Sequence, residues 1–366
     1  MSMVQCIANY LQFISSAQFA KYEKDFASRI ECALCDCYNR GFREPDVVKE
    51  VEAMVNGVSD LSTTDGKSEI SSKAIFIHGT KSQVSFKYYK KQAQKELGDL
   101  IFIISIVYNG KKYFERMTIT QFKKDSGKPL TWSFRRGDIE QLYLLSRFPA
   151  FKGVGKGSLI PQKQHHLADY SGCLGSYGML HTPGDFIFVG APRFESCLGS
   201  KKSIKINDLL LLRNEADSYC HFNYLLQNEP CMRRGISPCL VFLSNNVPVP
   251  FNCMQPLGLF GNCTYAQHVY DFTDKYLRLL IGEFTYFHDN FYNSGAKDLL
   301  QDLIEAIRQK AEKEKKRTLA AFVKEFKKYQ YTDDKEEATR RDPPDFDIDG
   351  GGFGIVYTTI NVGEGN

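Results

Sequence analysis

Four polar residues flank two apolar stretches in the segment 96–124, and their types suit metal chemistry. Glu96 and Asp99 precede the first stretch, whereas Gln121 and Lys123 end the second. Carboxylate and amide oxygens are ligands for a hard cation, which polarises a phosphate and lowers the pKa of an attacking water. A neighbouring lysine can orient that water and stabilise the charge that develops on the phosphate. If the four side chains meet, they would form a site for phosphodiester hydrolysis.

The assignment of roles follows from the donor types. Asp99 offers a carboxylate, Gln121 a neutral carbonyl oxygen and Glu96 a second acid, so these three are the predicted ligands of Mg²⁺ or Mn²⁺. The peptide carbonyl of Phe122 would complete the set of ligands. Lys123 is the predicted catalytic residue that contacts water and phosphate.

The elements that must position these residues are two strands and a tight turn. The stretch DLIFIISIVY, 99–108, is almost continuously apolar and β-branched, which is typical of a strand covered on both faces. The stretch KYFERMTITQF, 112–122, alternates more clearly. Asn109 and Gly110 lie between them and strongly favour a β-hairpin.

The register of this hairpin decides whether the site can exist. In a plain two-residue turn with regular strands, Asp99 faces Thr120 and points away from Gln121 and Lys123. In a three-residue turn with a bulge, Asp99 faces Ile119 and shares a face with Gln121 and Lys123. The site therefore requires a one-residue bulge, in the turn or elsewhere in the hairpin.

A strand-entry Asp, a hairpin and then Gln-x-Lys on the next strand resemble the PD-(D/E)xK nuclease superfamily. ELGDLIFI followed by TQFKK is similar to the Gln-x-Lys branch of that superfamily, found in bacterial proteins of phage defence. EQLYLLSRFPAF, 140–151, is similar to the helix that follows the Gln-x-Lys strand. The resemblance covers about residues 73–151, under a quarter of the chain.

This resemblance implies an α/β protein with a restriction-endonuclease-like mixed sheet core flanked by helices. It also implies a metal-dependent endonuclease that hydrolyses nucleic acid, with DNA as the expected substrate, in bacterial anti-phage defence. Control by a partner protein such as an ATPase, or by homo-oligomerisation, belongs to the same expectation. Because the superfamily most often has Asp or Glu where this chain has Gln121, the alternative is a non-cleaving member that binds nucleic acid or scaffolds a complex. The superfamily's additional glutamate from an earlier helix would be Glu50 or Glu52.

A basic segment precedes the first strand of the hairpin. KYYKKQAQK, 87–95, has four lysines and two tyrosines, which could bind a phosphate backbone. The alternative is a solvated connecting segment. The lysines predicted to contact nucleic acid are Lys87, Lys90, Lys91, Lys95 and Lys124.

Changes in composition divide the whole chain into four parts. Residues 1–70 are predicted to be an N-terminal helical segment, and residues 71–215 the nuclease-like core. Residues 216–330 form a C-terminal α+β accessory region that ends in a long amphipathic helix over 296–330. Residues 331–366 combine an acidic linker with a terminal strand, FGIVYTTINV, which could join this chain's own sheet or a neighbour's. That helix and strand would also suit an interaction subunit, the third class of function considered.

Composition narrows the possible functions and the expected location of the protein. The formal net charge of +4 permits nucleic-acid binding without requiring it, and no apolar run approaches the length of a membrane span. The N-terminal stretch lacks the pattern of a signal peptide, and the eleven cysteines have no framework spacing, so we expect a cytoplasmic protein with reduced thiols. Cys32-x-x-Cys35 has the spacing of a zinc knuckle but no second pair, which favours structural thiols.

Overall fold

A computed structural model describes residues 2–78, 82–125, 128, 130–155, 158–167, 173–181, 184–209, 265–266, 269–288, 292–332 and 352–363. Within these ranges the protein is mixed α/β, with a mixed sheet flanked by helices, as the sequence predicts. Residues 216–264 of the predicted accessory region and residues 333–351, which hold most of the predicted acidic linker, lie outside the described residues.

The described helices occur in three groups along the chain. The helices are α1 (Ser2–Ile14), α2 (Ala17–Asn39), α3 (Glu44–Asn56), α4 (Arg136–Arg147), α5 (Ala191–Leu198), α6 (Val269–Leu277), α7 (Ser294–Glu314) and α8 (Arg317–Phe326). The helices predicted over the N-terminal segment and over 140–147 are therefore present.

Among the described residues, the strands are short except for five longer ones at the centre of the sheet. The strands are β1 (Leu61–Ser62), β2 (Glu69–His78), β3 (Gln83–Tyr88), β4 (Lys91–Glu96), β5 (Leu100–Tyr108), β6 (Lys111–Lys124), β7 (Thr131–Ser133), β8 (Phe151–Gly153), β9 (Gly175–His181), β10 (Asp185–Gly190), β11 (Ser203–Lys205), β12 (Tyr265–Ala266), β13 (Glu283–Phe287), β14 (Gln330–Tyr331) and β15 (Gly352–Asn361).

Ten of the described strands belong to one sheet. Its main order is β1-β2-β15-β5-β6-β9-β10-β12, and β13 and β14 pair with the first half of β6. The β5–β6 hairpin is antiparallel, and β9 pairs parallel to the second half of β6. Helix α4 lies in the crossover between β6 and β9, which is how parallel neighbours are commonly connected.

The two faces of the sheet bury two separate hydrophobic cores. The first core contains Ile101 and Ile119 with residues of α4, α5, α7 and α8. The second contains Leu100 and Phe102 with residues of α1, α2, α3 and α6. This double cover explains why β5 has an almost uninterrupted apolar sequence.

The hairpin register satisfies the condition set by the sequence, although not through its turn. Tyr108 pairs with Lys111, and Asn109 and Gly110 have φ of 49° and 74°, so the turn has two residues with the left-handed geometry of type I′. The bulge lies further along, because the pairing shifts between Ile106 and Val107.

Tyr113 is the extra residue of that bulge, since Ile106 pairs with Phe114 and Val107 with Lys112. Beyond the bulge Leu100 pairs with Thr120. The preceding residue, Asp99, therefore comes level with Gln121 rather than with Ile119, the partner expected from a bulged turn.

The terminal strand β15 belongs to this chain's own sheet. It lies between β2 and β5, antiparallel to the first and parallel to the second. Both of its edges are thus paired, which leaves no edge for strand addition to a neighbour.

The helix predicted over 296–330 is wrong as a single element. Helix α7 ends at Glu314, and the next residue, Lys315, has a φ of 52° and donates its backbone N–H to the carbonyls of Ala311 and Glu312. A residue in the left-handed region stops a helix, and α8 begins two residues later. The apolar stripes on either side of this break concealed it in the sequence.

Candidate functional site

Asp99 is buried at the entry of β5. Asp99 is only 6% exposed. Its carboxylate oxygen Oδ2 accepts hydrogen bonds from the backbone N–H of Phe122 at 2.7 Å and from Nε2 of Gln121 at 2.5 Å. Its own N–H donates to the carbonyl of Thr120 at 3.0 Å. The structure therefore brings Asp99 and Gln121 together, as the sequence predicts.

Glycine at position 98 permits this approach. A Cβ atom there would lie 2.7 Å from Cγ2 of Ile119, and real Cβ atoms do not come so close. The Gly98-Asp99 pair thus lets the chain enter β5 tightly against β6.

Gln121 acts as a hydrogen-bond donor to Asp99 in this arrangement. An acidic residue at this position would place two carboxylates side by side in a buried place, which raises the pKa of one of them and costs free energy. A neutral amide avoids that repulsion and holds the Asp99 carboxylate in position. The contact with Asp99 therefore favours glutamine over an acidic residue at position 121.

Lys123 is directed to helix α4. Its Nζ lies 2.8 Å from Oδ1 of Asp138 and 5.0 Å from the ring centroid of Phe134. The two side chains of the ion pair are 19% and 31% exposed, so the pair lies at the border between core and solvent. The structure places Lys123 on the same strand as Gln121, with its ammonium group bound by an acid from the helix.

Asp138 was missed as a site residue because its sequence position is typical of a helix start. It lies in the first turn of α4, where Oδ2 accepts the N–H of Arg135 at 2.6 Å. That capping role is what an acidic residue at the third helical position indicates. Its second oxygen, bound to Lys123, gives it an additional role that only the fold reveals.

Tyr177 was missed for a similar reason, since GCLGSYG contains no motif. It pairs with Gln121 across β6 and β9, is 1% exposed and has a hydroxyl for which the described residues supply no hydrogen-bond partner. Burial, followed by the negative charges of Asp138 and Asp99, raises the pKa of this phenol well above its usual range. Tyr177 thus keeps a neutral, buried hydroxyl on the strand next to Gln121.

Glu96 ends β4, and its contact is with helix α4. Its backbone carbonyl accepts a hydrogen bond from Nε2 of Gln141 at 2.7 Å. Burial raises the pKa of its carboxyl. The structure does not link Glu96 to Asp99 by a described contact, so its role as a ligand stays a prediction.

Helix α3, which carries Glu50 and Glu52, packs on the other face of the sheet from Lys123. Val47, Val48 and Val51 of α3 pack in the second core, whereas Ile119, on the same face of β6 as Lys123, packs in the first. Glu50 and Glu52 lie on α3, and the structure does not link either of them to Asp99, Gln121 or Lys123 by a described contact, so a ligand from this helix stays a prediction.

The lysines predicted to bind nucleic acid do not form one patch. Lys87, Lys90 and Lys91 are exposed on the β3–β4 hairpin. Lys95 pairs with Glu140 of α4 at 3.2 Å. Lys124 lies 4.5 Å from the ring centroid of Tyr38 in α2 and donates to the carbonyl of Phe42, on the other side of the sheet.

The donors around Asp99 fit Mg²⁺ in type. Mg²⁺ usually keeps several waters and takes only one or two protein carboxylates. The carboxylate of Asp99, the amide of Gln121 and the carbonyl of Phe122, which lies 3.4 Å from that amide nitrogen, offer such oxygens. Within the ranges the structure describes, no group of three or more His, Cys, Asp or Glu side chains is placed to hold a metal.

Comparison of the chain with protein-family models, with curated proteins and with solved structures found no match. Among the helices described, none combines the length and the apolar character needed to cross a membrane.

Proposed function

We propose that this protein is a divalent-metal-dependent nuclease that hydrolyses phosphodiester bonds, with DNA as its substrate, and that it acts as an anti-phage effector in bacteria. One observation carries the proposal. The bulge at Tyr113 shifts the β5–β6 register so that Asp99 meets Gln121 at 2.5 Å, which a regular two-residue hairpin would not allow. The resemblance of Asp99 and Gln121-x-Lys123 to the PD-(D/E)xK pattern supplies the reaction.

Each side chain has a distinct part in this proposal. Asp99, with the carbonyl groups of Gln121 and Phe122, would hold Mg²⁺ or Mn²⁺, and the bound cation would polarise the scissile phosphate and lower the pKa of a water. The amide of Gln121 orients the Asp99 carboxylate. Lys123, partly exposed at the rim, would bind a phosphate oxygen in exchange for Asp138 and stabilise the charge that develops there.

The test is cleavage of supercoiled plasmid and of labelled oligonucleotides in Mg²⁺ or Mn²⁺, with EDTA as the blank. We expect Asp99→Asn and Lys123→Met each to lower the rate by about 100-fold or more, the loss usual for a group that stabilises developing charge. Asp60→Asn and Lys111→Met are the matched controls, because Asp60 lies in an exposed ion pair and Lys111 is exposed on the same strand as Lys123. Cleavage by the two site variants at the wild-type rate would contradict the assignment.

The second candidate function is a nucleic-acid-binding protein of the same fold without cleavage. It is favoured by the hydrogen bonds within the site, because Gln121 already satisfies Asp99 and Asp138 already neutralises Lys123. These pairs could serve stability alone. Retarded migration of nucleic acid without cleavage in either metal would favour this candidate.

A further inference from the structure

Tyr89 occupies an unusual position at the tip of the β3–β4 hairpin. It is 70% exposed and has a φ of 50°, a backbone conformation that disfavours a bulky side chain and suits glycine. Tyr88 pairs with Lys91, so Tyr89 and Lys90 form a two-residue turn. A strained, exposed aromatic residue at a turn has a conformational cost, and such a cost is often found at binding sites.

Two further tyrosines surround this tip. The ring centroid of Tyr89 lies 4.8 Å from that of Tyr88 and 5.5 Å from that of Tyr143, and the Tyr88 and Tyr143 rings are 5.0 Å apart. Tyr143 belongs to α4, the helix that also carries Asp138. The aromatic surface is therefore connected to the Asp99 site through a rigid element.

Positive charge surrounds the three rings. Lys90 and Lys91 are exposed beside them, and Lys95 and Arg136 share a single acid, Glu140, at 3.2 and 3.4 Å. Glu140 is thus shared by two of these cations, and the Arg136 side chain is 73% exposed. Such a surface is complementary to a polyanion that also presents aromatic faces.

We propose that Tyr88, Tyr89 and Tyr143 form a stacking platform for unpaired bases of single-stranded nucleic acid, with Lys90, Lys91 and Arg136 on the phosphates. Stacking on an exposed ring requires a base that has left the duplex, which is why a single strand fits this platform and a duplex does not. The hairpin strand β4 leads from the tip to Glu96 over about 20 Å at the usual rise of a strand. A single-stranded nucleic acid bound at the tip can therefore extend to the Asp99 site. This path from the tip to the Asp99 site rests on the proposed function.

The test is the affinity for a fluorescein-labelled oligothymidylate of about 20 nucleotides and for a blunt duplex of equal length. Fluorescence anisotropy is recorded in EDTA, so that binding is measured without cleavage. Tyr89→Gly is the informative variant, because glycine suits the positive φ and leaves the turn intact. We expect an unchanged or raised melting temperature and roughly 5- to 100-fold weaker binding of the single strand, the range for loss of one stacked base.

Two controls complete the design. Tyr89→Phe keeps the ring and should bind within about twofold of the wild type. Tyr270→Ala removes another large exposed aromatic residue, 41% exposed on α6, and should leave the affinity unchanged. Wild-type affinity in Tyr89→Gly, equal affinity for the duplex, or no binding by the wild type would each overturn the proposal.

Failure of this inference and failure of the proposed function give different results. If the platform exists but the protein does not cleave, Tyr89→Gly weakens binding while the wild type shows no metal-dependent products. If the protein cleaves but the platform is wrong, Asp99→Asn abolishes cleavage while Tyr89→Gly binds as the wild type does.

Discussion

At the scale of single residues, the candidate site is held by two contacts, the hydrogen bond from Gln121 to Asp99 at 2.5 Å and the ion pair of Lys123 with Asp138 at 2.8 Å. In the sequence, Asp99, Gln121 and Lys123 are recognisable because acids, amides and lysines at strand ends suit metal and phosphate. Asp138 and Tyr177 are not, because one has the pattern of a helix cap and the other lies in a glycine-rich stretch. Both are placed beside the site by pairing and packing over long sequence distances.

Gln121 provides the first prediction at this scale. Gln121→Glu replaces a hydrogen-bond donor by a second carboxylate beside Asp99, so the metal-free protein should lose about 1–3 kcal/mol of stability. A divalent cation would relieve the repulsion, so Mn²⁺ should raise the melting temperature of this variant more than that of the wild type. Thermal denaturation with and without Mn²⁺ measures both effects, and Gln94→Glu, exposed on β4, is the control. An equal shift with Mn²⁺ in variant and wild type would argue against a cation beside residue 121.

At the scale of elements, helix α4 positions most of the candidate site. It binds Lys123 through Asp138, the carbonyl of Glu96 through Gln141 and the β3–β4 hairpin through Glu140. Its existence follows from its apolar stripe, but its exact placement on the sheet does not. That placement depends on Gly175 in β9, where a Cβ atom would lie 2.0 Å from the carbonyl oxygen of Leu145.

Substitution of Gly175 should therefore displace α4. Gly175→Ala is expected to lower the free energy of unfolding by about 2–4 kcal/mol, because the clash involves backbone and cannot be relieved by a side-chain rotation. Gly137→Ala in α4 is the matched control, since its Cβ would meet only the flexible end of Lys95 at 3.1 Å. Urea denaturation compares the two, and equal stabilities would refute the close packing of α4 on β9.

A pH dependence belongs to the contact between α2 and α6. Burial, followed by a hydrogen bond to Asp274, raises the pKa of Glu23 from 4.5 to about 7, although Arg278 lies 3.3 Å from its carboxylate. The folded protein thus binds this proton more tightly than the unfolded chain does. The resulting stability is fully present below pH 4.5 and is lost as the pH rises through about 7.

We accordingly expect the free energy of unfolding to decrease by about 1–2 kcal/mol between pH 5 and pH 8, less than the full shift would give, because solvent screens this half-buried carboxyl. Chemical denaturation at both pH values measures it. Glu23→Gln should show a smaller decrease, because the amide does not titrate. A decrease of the same size in that variant would assign the effect to other groups.

At the scale of the whole molecule, the sheet is completed by the end of the described chain. The β-branched residues of β15 identify this segment as a strand in the sequence. They do not identify its neighbours in the sheet, because strand pairing depends on contacts between residues that are hundreds of positions apart. The structure places it between β2 and β5, where Ile355, Val356 and Ile360 are fully buried. Likewise, the two-sided cover of β5 was predictable, whereas the identity of the covering helices was not.

Removal of this strand tests the architecture. A chain ending at residue 351 should lose its cooperative unfolding transition, because each large buried aliphatic side chain lost costs about 2–5 kcal/mol and β5 loses a paired neighbour. A chain ending at Gly363 retains β15 and is the control. Thermal unfolding followed by circular dichroism distinguishes them, and cooperative unfolding of the shorter chain would contradict the central position of β15.

The central claim of the proposed function is that the Asp99–Gln121 pair is a cation site. The most direct measurement is isothermal titration of wild type and Asp99→Asn with Mn²⁺ in the absence of nucleic acid, with Asp60→Asn as the control. We predict one Mn²⁺ bound per chain in the wild type and in Asp60→Asn, and at least tenfold weaker binding in Asp99→Asn, because that variant lacks the carboxylate. Equal Mn²⁺ affinity in the wild type and Asp99→Asn would contradict the claim.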